Sequence, residues 1–275
     1  MSQRSGWRAG VPLLVAATLF MEQLDGTILV TAAPQIAADF GVSSADVNIT
    51  MTAYLLAVAC TIPFGGWLAS RIGARFVFIS SIALFTLASL LCALSPGLEM
   101  LVFGRVLQGF AGGMMAPVGR LIVLRGAAKT ELLRSIALIT WPALLAPVLA
   151  PVLGGLIVTV STWHWIFILN VPIGVAAFVA ALIMVQDRAT ERRTLDWLGL
   201  LLTSAAVLAL LLAVELVAAG DAMLIALFSG IAALLIGGGA VWWMLGTRHP
   251  LLNLRVFGIP TFRVTNSGGS SFGWW

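Results

Sequence analysis

The sequence predicts an all-α integral membrane protein, and three observations carry that prediction. Hydrophobic residues make up 60% of the 275-residue chain and charged residues only 9%, with a mean hydropathy of +1.06. A soluble domain carries about a quarter charged residues, so the composition excludes an ordinary soluble fold. The apolar residues also fall into runs of roughly 20, the length a helix needs to cross the hydrocarbon core. Finally, the basic residues gather on one side of those runs, as loops on the cytoplasmic side do.

Eight runs meet the length requirement: 11–33, 47–69, 75–95, 98–119, 135–158, 164–186, 196–217 and 223–245. The first follows the basic start MSQRSGWRAG, which resembles a signal peptide. No small-residue cleavage site precedes Glu22 and Asp25, and further spans follow, so the run reads as an uncleaved first span. Spans 2 and 3 are joined by SRIGAR, a short basic turn whose Gly73 can take backbone conformations that other residues resist. Anchoring charges in a plain turn fit this stretch as well as a functional loop does.

Span 4 contains LVFGRVLQGFAGGMMAP, where Gly109 and Gly113 form a GxxxG pattern and Gly104 and Gly112 add small positions. Such residues let helix backbones approach closely. Span 5 contains Pro142, Pro147 and Pro151 followed by Gly154 and Gly155. Each proline removes an amide donor, so the span is expected to kink, as a hinge or as a static bend, with both glycines permitting close contact. Span 6 opens on Trp163, His164 and Trp165, which read as interfacial anchors. Glu215, near the outer end of span 7, can reach the interface, and a ninth apolar run begins near Phe262.

Charge supplies the orientation. With the N-terminus inside, fourteen of the fifteen basic residues lie in cytoplasmic segments, at positions 4, 8, 71, 75, 120, 125, 129, 134, 188, 192, 193, 248, 255 and 263. The opposite loops carry Asp39, Asp46, Glu99 and Asp221 and no Lys or Arg. This partition accounts for the net charge of +4 without invoking nucleic acid. Cys60 and Cys92 lie in apolar runs, where packing rather than disulfide or metal chemistry is expected. The two histidines, His164 and His249, are far apart and belong to no metal-ligand cluster, and no phosphate-binding loop of P-loop type occurs. Neither an enzyme, a metal nor a cofactor is expected.

Three ionisable residues stand deep in the spans: Glu22, Asp25 and Arg105. A central Asp or Arg costs roughly 2.5–3.5 kcal/mol on insertion scales, so such residues face a bundle interior or a watery cavity. Asp25 lies about fourteen residues from the cytoplasmic start of span 1, roughly 20 Å deep. Arg105 lies about seven residues from the outer start of span 4, roughly 10 Å down. In a core about 30 Å thick the two depths nearly meet, which permits a pair. Glu22 and Asp25 are three apart on one helix face, where mutual repulsion and burial favour the protonated form of one. That is what proton-coupled transport requires; a buried ion pair that fixes helix register meets the same pattern. Glu22 alone also fits a water-exposed position in a cytoplasmic vestibule. Arg105 and Gln108 are again three apart, giving span 4 one polar edge, expected toward a pathway.

Taken together these motifs resemble the major facilitator superfamily, specifically the fourteen-span drug/proton antiporters of the EmrB/QacA type. LDGTILVTAAPQI (24–36) is similar to that group's first-span signature, and GWLASRIGAR (66–75) to the loop pattern G-x-L-A-D-R-x-G-R-R. LVFGRVLQGFAGG (101–113) matches the span-4 R-x-x-Q-G pattern. APVLGG (150–155) resembles the antiporter signature G-P-x-x-G-G, and STWHWIFILNVPIG (161–174) resembles W-R-W-I-F-x-x-N-x-P-x-G. Five motifs in order cover nearly the whole chain.

The resemblance implies a proton-coupled secondary transporter that exports drugs or other amphipathic compounds across the inner (plasma) membrane. Its partners would be lipid, protons, a small-molecule substrate and efflux adaptor proteins. Asp25, Glu22, Arg105 and Gln108 would serve proton coupling or the substrate pathway, with Asp25 favoured over Glu22 as the coupling acid. Gly66, Ser70, Arg71, Gly73 and Arg75 would form a cytoplasmic gate, and Pro151, Gly154 and Gly155 would shape the antiporter helix. Ser70 stands where the pattern has Asp, removing a carboxylate from the gate, and Ala150 replaces the first glycine of the antiporter signature.

The organisation that follows is a six-helix half over 1–187, two additional linker helices over 188–247, and the cytoplasmic start of a second half over 248–275. A complete fold of this family needs two halves, with alternating access between them. The chain therefore reads as the N-terminal part of a truncated or longer transporter. The alternative is a non-transporting remnant or assembly half.

Overall fold

The computed structural model describes residues 10–186, 196–219 and 223–247, and helix is the only regular structure among them. Arg4, Arg8, Asp187, Arg188, Glu191, Arg192, Arg193, Asp221, Arg248, His249, Arg255, Arg263 and the run near Phe262 lie outside these residues, as does the side chain of Glu215. In chain order the helices are α1 (Gly10–Phe40), α2 (Ser44–Ile72), α3 (Ala74–Ala93), α4 (Leu98–Gly126), α5 (Leu132–Val160), α6 (His164–Ile168), α7 (Asn170–Met184), α8 (Trp197–Ala219) and α9 (Met223–Gly246). Leu169, between α6 and α7, keeps helical torsions (φ −62°, ψ −28°), so the two pieces form one interrupted span over His164–Met184. Pro172 in the next turn lacks an amide and cannot bond back across the interruption.

Eight described helical segments are long and apolar enough to cross a membrane, at the eight places the hydropathy predicts, which makes this a multi-pass membrane protein. Helix is the form such runs must take, because hydrocarbon offers no partner for a free amide or carbonyl. Four helices outrun the predicted spans: α1 has 31 residues, and α2, α4 and α5 have 29 each. At 1.5 Å per residue these are roughly 45 Å long, enough to carry their ends through the headgroup region. Prolines interrupt none of them: Pro34, Pro63, Pro117 and the three prolines of α5 all sit within continuous helices.

The ends have local causes. Ser43 caps α2 in a capping box, its hydroxyl accepting from the Asp46 amide at 3.2 Å while the Asp46 carboxylate accepts from the Ser43 amide at 2.9 Å. The turn between α2 and α3 is a single residue, Gly73, at φ +102°. The predicted need for a glycine there is met, since a side chain would be strained at that torsion.

The chain separates into two compact units, Met1–Arg192 and Arg193–Trp275. In the first, α4 packs between α2 and α3, while α1 packs along α5 and touches α2, α4, α6 and α7. α3 also packs on α7 and α6. In the second unit, α8 and α9 pack on each other.

Two apolar clusters fill the first unit. One gathers Leu14–Met21 of α1, Val77–Phe85 of α3, Ala111–Val123 of α4 and Ala177–Ala181 of α7. The other gathers Ile28–Ala37 of α1, Cys92 and Ala93 of α3, Leu101 of α4, Ala150 of α5 and Trp163–Phe167 around α6. On each of α1, α3, α4 and α6–α7 the two sets are separated by about two to three turns. The buried polar residues in that gap include Glu22 and Asp25, Ser89, Arg105 and Gln108, and Asn170. The fold thus places a single polar layer between two greasy ones.

Candidate functional site: a buried charge layer

Asp25 and Arg105 meet at the centre of that layer. Arg105 Nη1 donates to Asp25 Oδ2 in an ion pair whose two side chains are both fully buried. Two further donors reach the other carboxylate oxygen: Asn170 Nδ2 at 2.6 Å and Gln108 Nε2 at 3.3 Å. Gln108 then ties the layer together. Its Nε2 also donates to Ser89 Oγ at 2.8 Å, and its Oε1 accepts from Arg105 Nη1 at 2.9 Å and from Cys92 Sγ at 3.4 Å. The Arg105 guanidinium lies 4.1 Å from the centroid of the Tyr54 ring and 5.9 Å from that of Phe167. In a dry site such cation–π contact is worth about 2 kcal/mol. Nε and Nη2 of Arg105 have no hydrogen-bond partner among the described residues.

α1, α2, α3, α4, α6 and α7 therefore each contribute a side chain around one guanidinium–carboxylate pair. The depth estimate anticipates the meeting of Asp25 and Arg105. Of the two surroundings expected for such residues, the bundle interior is the one found, since both side chains sit enclosed inside the unit.

Glu22 occupies the same layer, 5% exposed, rather than an open vestibule. It lies against the bare backbone of Gly112, where a Cβ would come 3.3 Å from Glu22 Cγ. Its Oε2 has no partner among the described residues, while the Tyr54 hydroxyl donates to its backbone carbonyl at 3.4 Å. Asp25 is thus fully engaged and Glu22 is not.

The glycines of α4 face three helices. A Cβ on Gly109 would collide with the Tyr54 carbonyl and lie 2.7 Å from Ala57 Cβ; one on Gly113 would lie 2.7 Å from the Val58 carbonyl. The GxxxG face is thus the α2 contact, Gly112 meets α1, and Gly104 meets Cys92 of α3. In α5 only one of the two expected close approaches occurs. Gly154 is pressed against Thr31 and Ile28 of α1, but a Cβ on Gly155 would meet nothing within 4 Å, because it points one residue round the helix from the contact. Pro151 is exposed and Ala150 is fully buried in the second apolar cluster.

In the loop motif, Gly66 is exposed with open space at its Cβ position. Ser70 is buried and donates to the Trp67 carbonyl at 2.7 Å, while Arg71 lies 5.5 Å from the centroid of the Trp67 ring. Arg75 Nη2 donates to the Leu182 carbonyl at 2.8 Å, tying the α2–α3 turn to the last turn of α7. Trp163 is not an interfacial anchor. It is 1% exposed, donates from Nε1 to Asp39 Oδ2 at 3.0 Å and stacks on His164 with ring centroids 3.8 Å apart, because the α5–α6 connection folds it under α1. Among the described residues, no group of three or more His, Cys, Asp or Glu is placed to hold a metal ion.

Sequence reasoning misses Asn170, Tyr54 and Ser89, and treats Cys92 as packing alone. Signals existed for two of them. Asn170 stands at the one amide position of the quoted span-6 pattern, and Tyr54 is the chain's single tyrosine. Ser89 carries none, since a serine in a membrane helix ordinarily bonds its own backbone, as this one also does to Phe85.

Comparison with known proteins places this site in context. Residues 15–274 match a family model described as Major Facilitator Superfamily. The chain is 39% identical over 256 residues to MdtD of Cronobacter sakazakii, designated a multidrug resistance protein, an alignment covering 91% of this chain and 54% of that one. MdtD of Yersinia pestis is 39% identical over 249 residues, covering 89% and 53%. The crystal structure of the peptide transporter POT in complex with sulfate superposes with a TM-score of 0.64 at 17% identity, over 90% of this chain and 54% of that one. The POT family transporter PepTSo gives 0.61 at 12% identity, over 86% and 53%. At such identities the structural likeness concerns the fold alone. The chain spans about half the length of the curated relatives it matches.

Proposed function

The chain belongs to the Major Facilitator Superfamily, and on that premise we propose that its complete protein is a secondary transporter exchanging protons for drugs or other amphipathic compounds. The observation that carries the proposal is the enclosed Asp25–Arg105 pair, the centre of a polar layer drawn from α1, α2, α3, α4 and α7. An isolated charge at this depth is costly, and a paired one is retained where it has work to do. Asp25 acts as the coupling acid: while it is ionised, Arg105 and its amide donors hold α1 to α4 and α7. Protonation removes the attraction and loosens the layer, letting the half rearrange, and release of the proton re-forms it. Glu22 and Gln108 act beside it, and the designation of the MdtD relatives supports a multidrug substrate class.

We assign residues 1–187 to the N-terminal half and 188–247 to two additional helices; residues 248–275, expected to begin a second half, lie outside the described residues. Gly66, Ser70, Arg71, Gly73 and Arg75 gate the cytoplasmic side, and Pro151, Gly154 and Gly155 shape the fifth helix, with Gly154 alone making the close contact. The one-sided basic residues support a cytoplasmic N-terminus in the inner membrane. The test is efflux of a fluorescent lipophilic cation from vesicles under an imposed proton gradient. Asp25→Asn should abolish the dependence on the gradient; gradient-driven efflux at the native rate in that variant would refute the assignment.

A further inference from the structure

We propose that Asn170 is a positioning residue that reads the protonation state of Asp25, its amide donating to the carboxylate and turning to accept from the protonated acid. The inference rests on the reading of Asp25 as the coupling acid.

The argument is one of donors and acceptors. Ionised Asp25 accepts from three groups: Arg105, Gln108 and Asn170. When a proton from water binds, an O–H bond forms on the carboxyl and this new donor needs an acceptor. Arg105 has only donors. Gln108 carries an acceptor, but its Oε1 already takes Arg105 Nη1 and Cys92 Sγ, and its Nε2 serves both Asp25 and Ser89. Turning that amide would break contacts to three other side chains.

Asn170 differs. Its side chain makes one hydrogen bond among the described residues, the 2.6 Å contact to Asp25 Oδ1, and at 4% exposed it is shielded from bulk water. Rotation of the amide by half a turn exchanges its N–H for its carbonyl. It then accepts from Asp25 Oδ1–H, and no other side-chain bond is lost.

The neighbours leave this role to Asn170. The titratable or charged groups facing Asp25 are Glu22 on its own helix, Tyr54 on α2, Cys92 on α3 and Arg105 on α4. Arg120 of α4 acts toward Glu22. α5 carries Arg134 in its first turn and α6 carries His164 stacked on Trp163, so among the described residues the hydrogen bond from the α5–α7 segment to the acid comes from Asn170. Asn170 also begins α7 just past the interruption at Leu169, and α7 is locked to α3 where Gly174 meets Thr86. A change at the amide is thereby handed to a packed helix.

The experiment uses the complete protein in proteoliposomes and reads the pH midpoint of exchange between protons and a fluorescent lipophilic cation. Asn170→Leu supplies neither donor nor acceptor at similar volume, Asn170→Ser is too short to reach, and Asn170→Gln restores the amide. We expect the Leu and Ser variants to move the midpoint up by about one pH unit, the excess of a hydrogen bond to the charged carboxylate over one from the neutral acid. The Gln variant should return most of that shift. Proton release from detergent-solubilised protein on adding the cation reads the same midpoint without turnover, and decides the matter for a variant that no longer transports. A release midpoint within about 0.3 unit of native in both Leu and Ser variants, with Asp25→Asn uncoupled, overturns the role of Asn170 alone. Retained coupling in Asp25→Asn overturns the reading beneath it.

Discussion

The Asp25–Arg105 pair lends itself to a double-mutant cycle, because burial makes the two single changes far worse than the double. Arg105 has no exposed surface; Arg105→Met removes its ion pair, its 2.9 Å bond to Gln108 and its cation–π contact while keeping most of the volume. The Asp25 carboxylate is then left with two amide donors and no counter-charge. Breaking a buried pair from one side costs about 3–5 kcal/mol. Asp25→Asn strands the guanidinium in the same way, leaving it neutral acceptors such as the Gln108 carbonyl and the Tyr54 and Phe167 rings but no counter-charge, and should cost about as much. The double variant removes both charges, and replacing a whole buried pair by neutral groups is often close to neutral. The double variant should therefore be about 3 kcal/mol more stable than either single variant. For a unit of this size that corresponds to roughly 6–12 °C in Tm, readable by thermal unfolding in detergent with tryptophan fluorescence. A double variant no more stable than the worse single would refute the claim that the two groups neutralise one another inside the fold.

Two further outcomes follow from the glycines. Gly109→Ala places a methyl into the Tyr54 carbonyl and should cost about 1–3 kcal/mol by overpacking, whereas Gly155→Ala, in open space, should leave Tm within the error of the same melt. Gly73→Ala forces a side chain onto a φ of +102° at the one-residue turn and should cost about 1–3 kcal/mol, so an unchanged Tm would mean the turn relaxes to another conformation.

The membrane class, the eight spans and the pairing depth of Asp25 and Arg105 were all legible without coordinates. The reason is that hydrocarbon is an unforgiving solvent: it demands long apolar helices and makes each deep charge conspicuous. The GxxxG face of α4 was legible too, since close backbone approach needs small residues. Which helix meets each glycine was not. Gly154 and Gly155 are adjacent and chemically identical, yet a rotation of about 100° separates a tight contact from open space. Trp163 read as an anchor because tryptophan favours interfaces, but the chain's return past α1 buries it against Asp39.

By itself, then, the sequence determined the solvent, the number of crossings, the family likeness and the two charges that had to find each other, because each of these is set by local composition or spacing. Only the tertiary structure decided that Asp25 is shared among Arg105, Gln108 and Asn170, partners 80, 83 and 145 residues away, while Glu22 one turn earlier has no such partners. Those contacts depend on how helices rotate and cross, and that is settled by packing across the whole unit rather than within any one span.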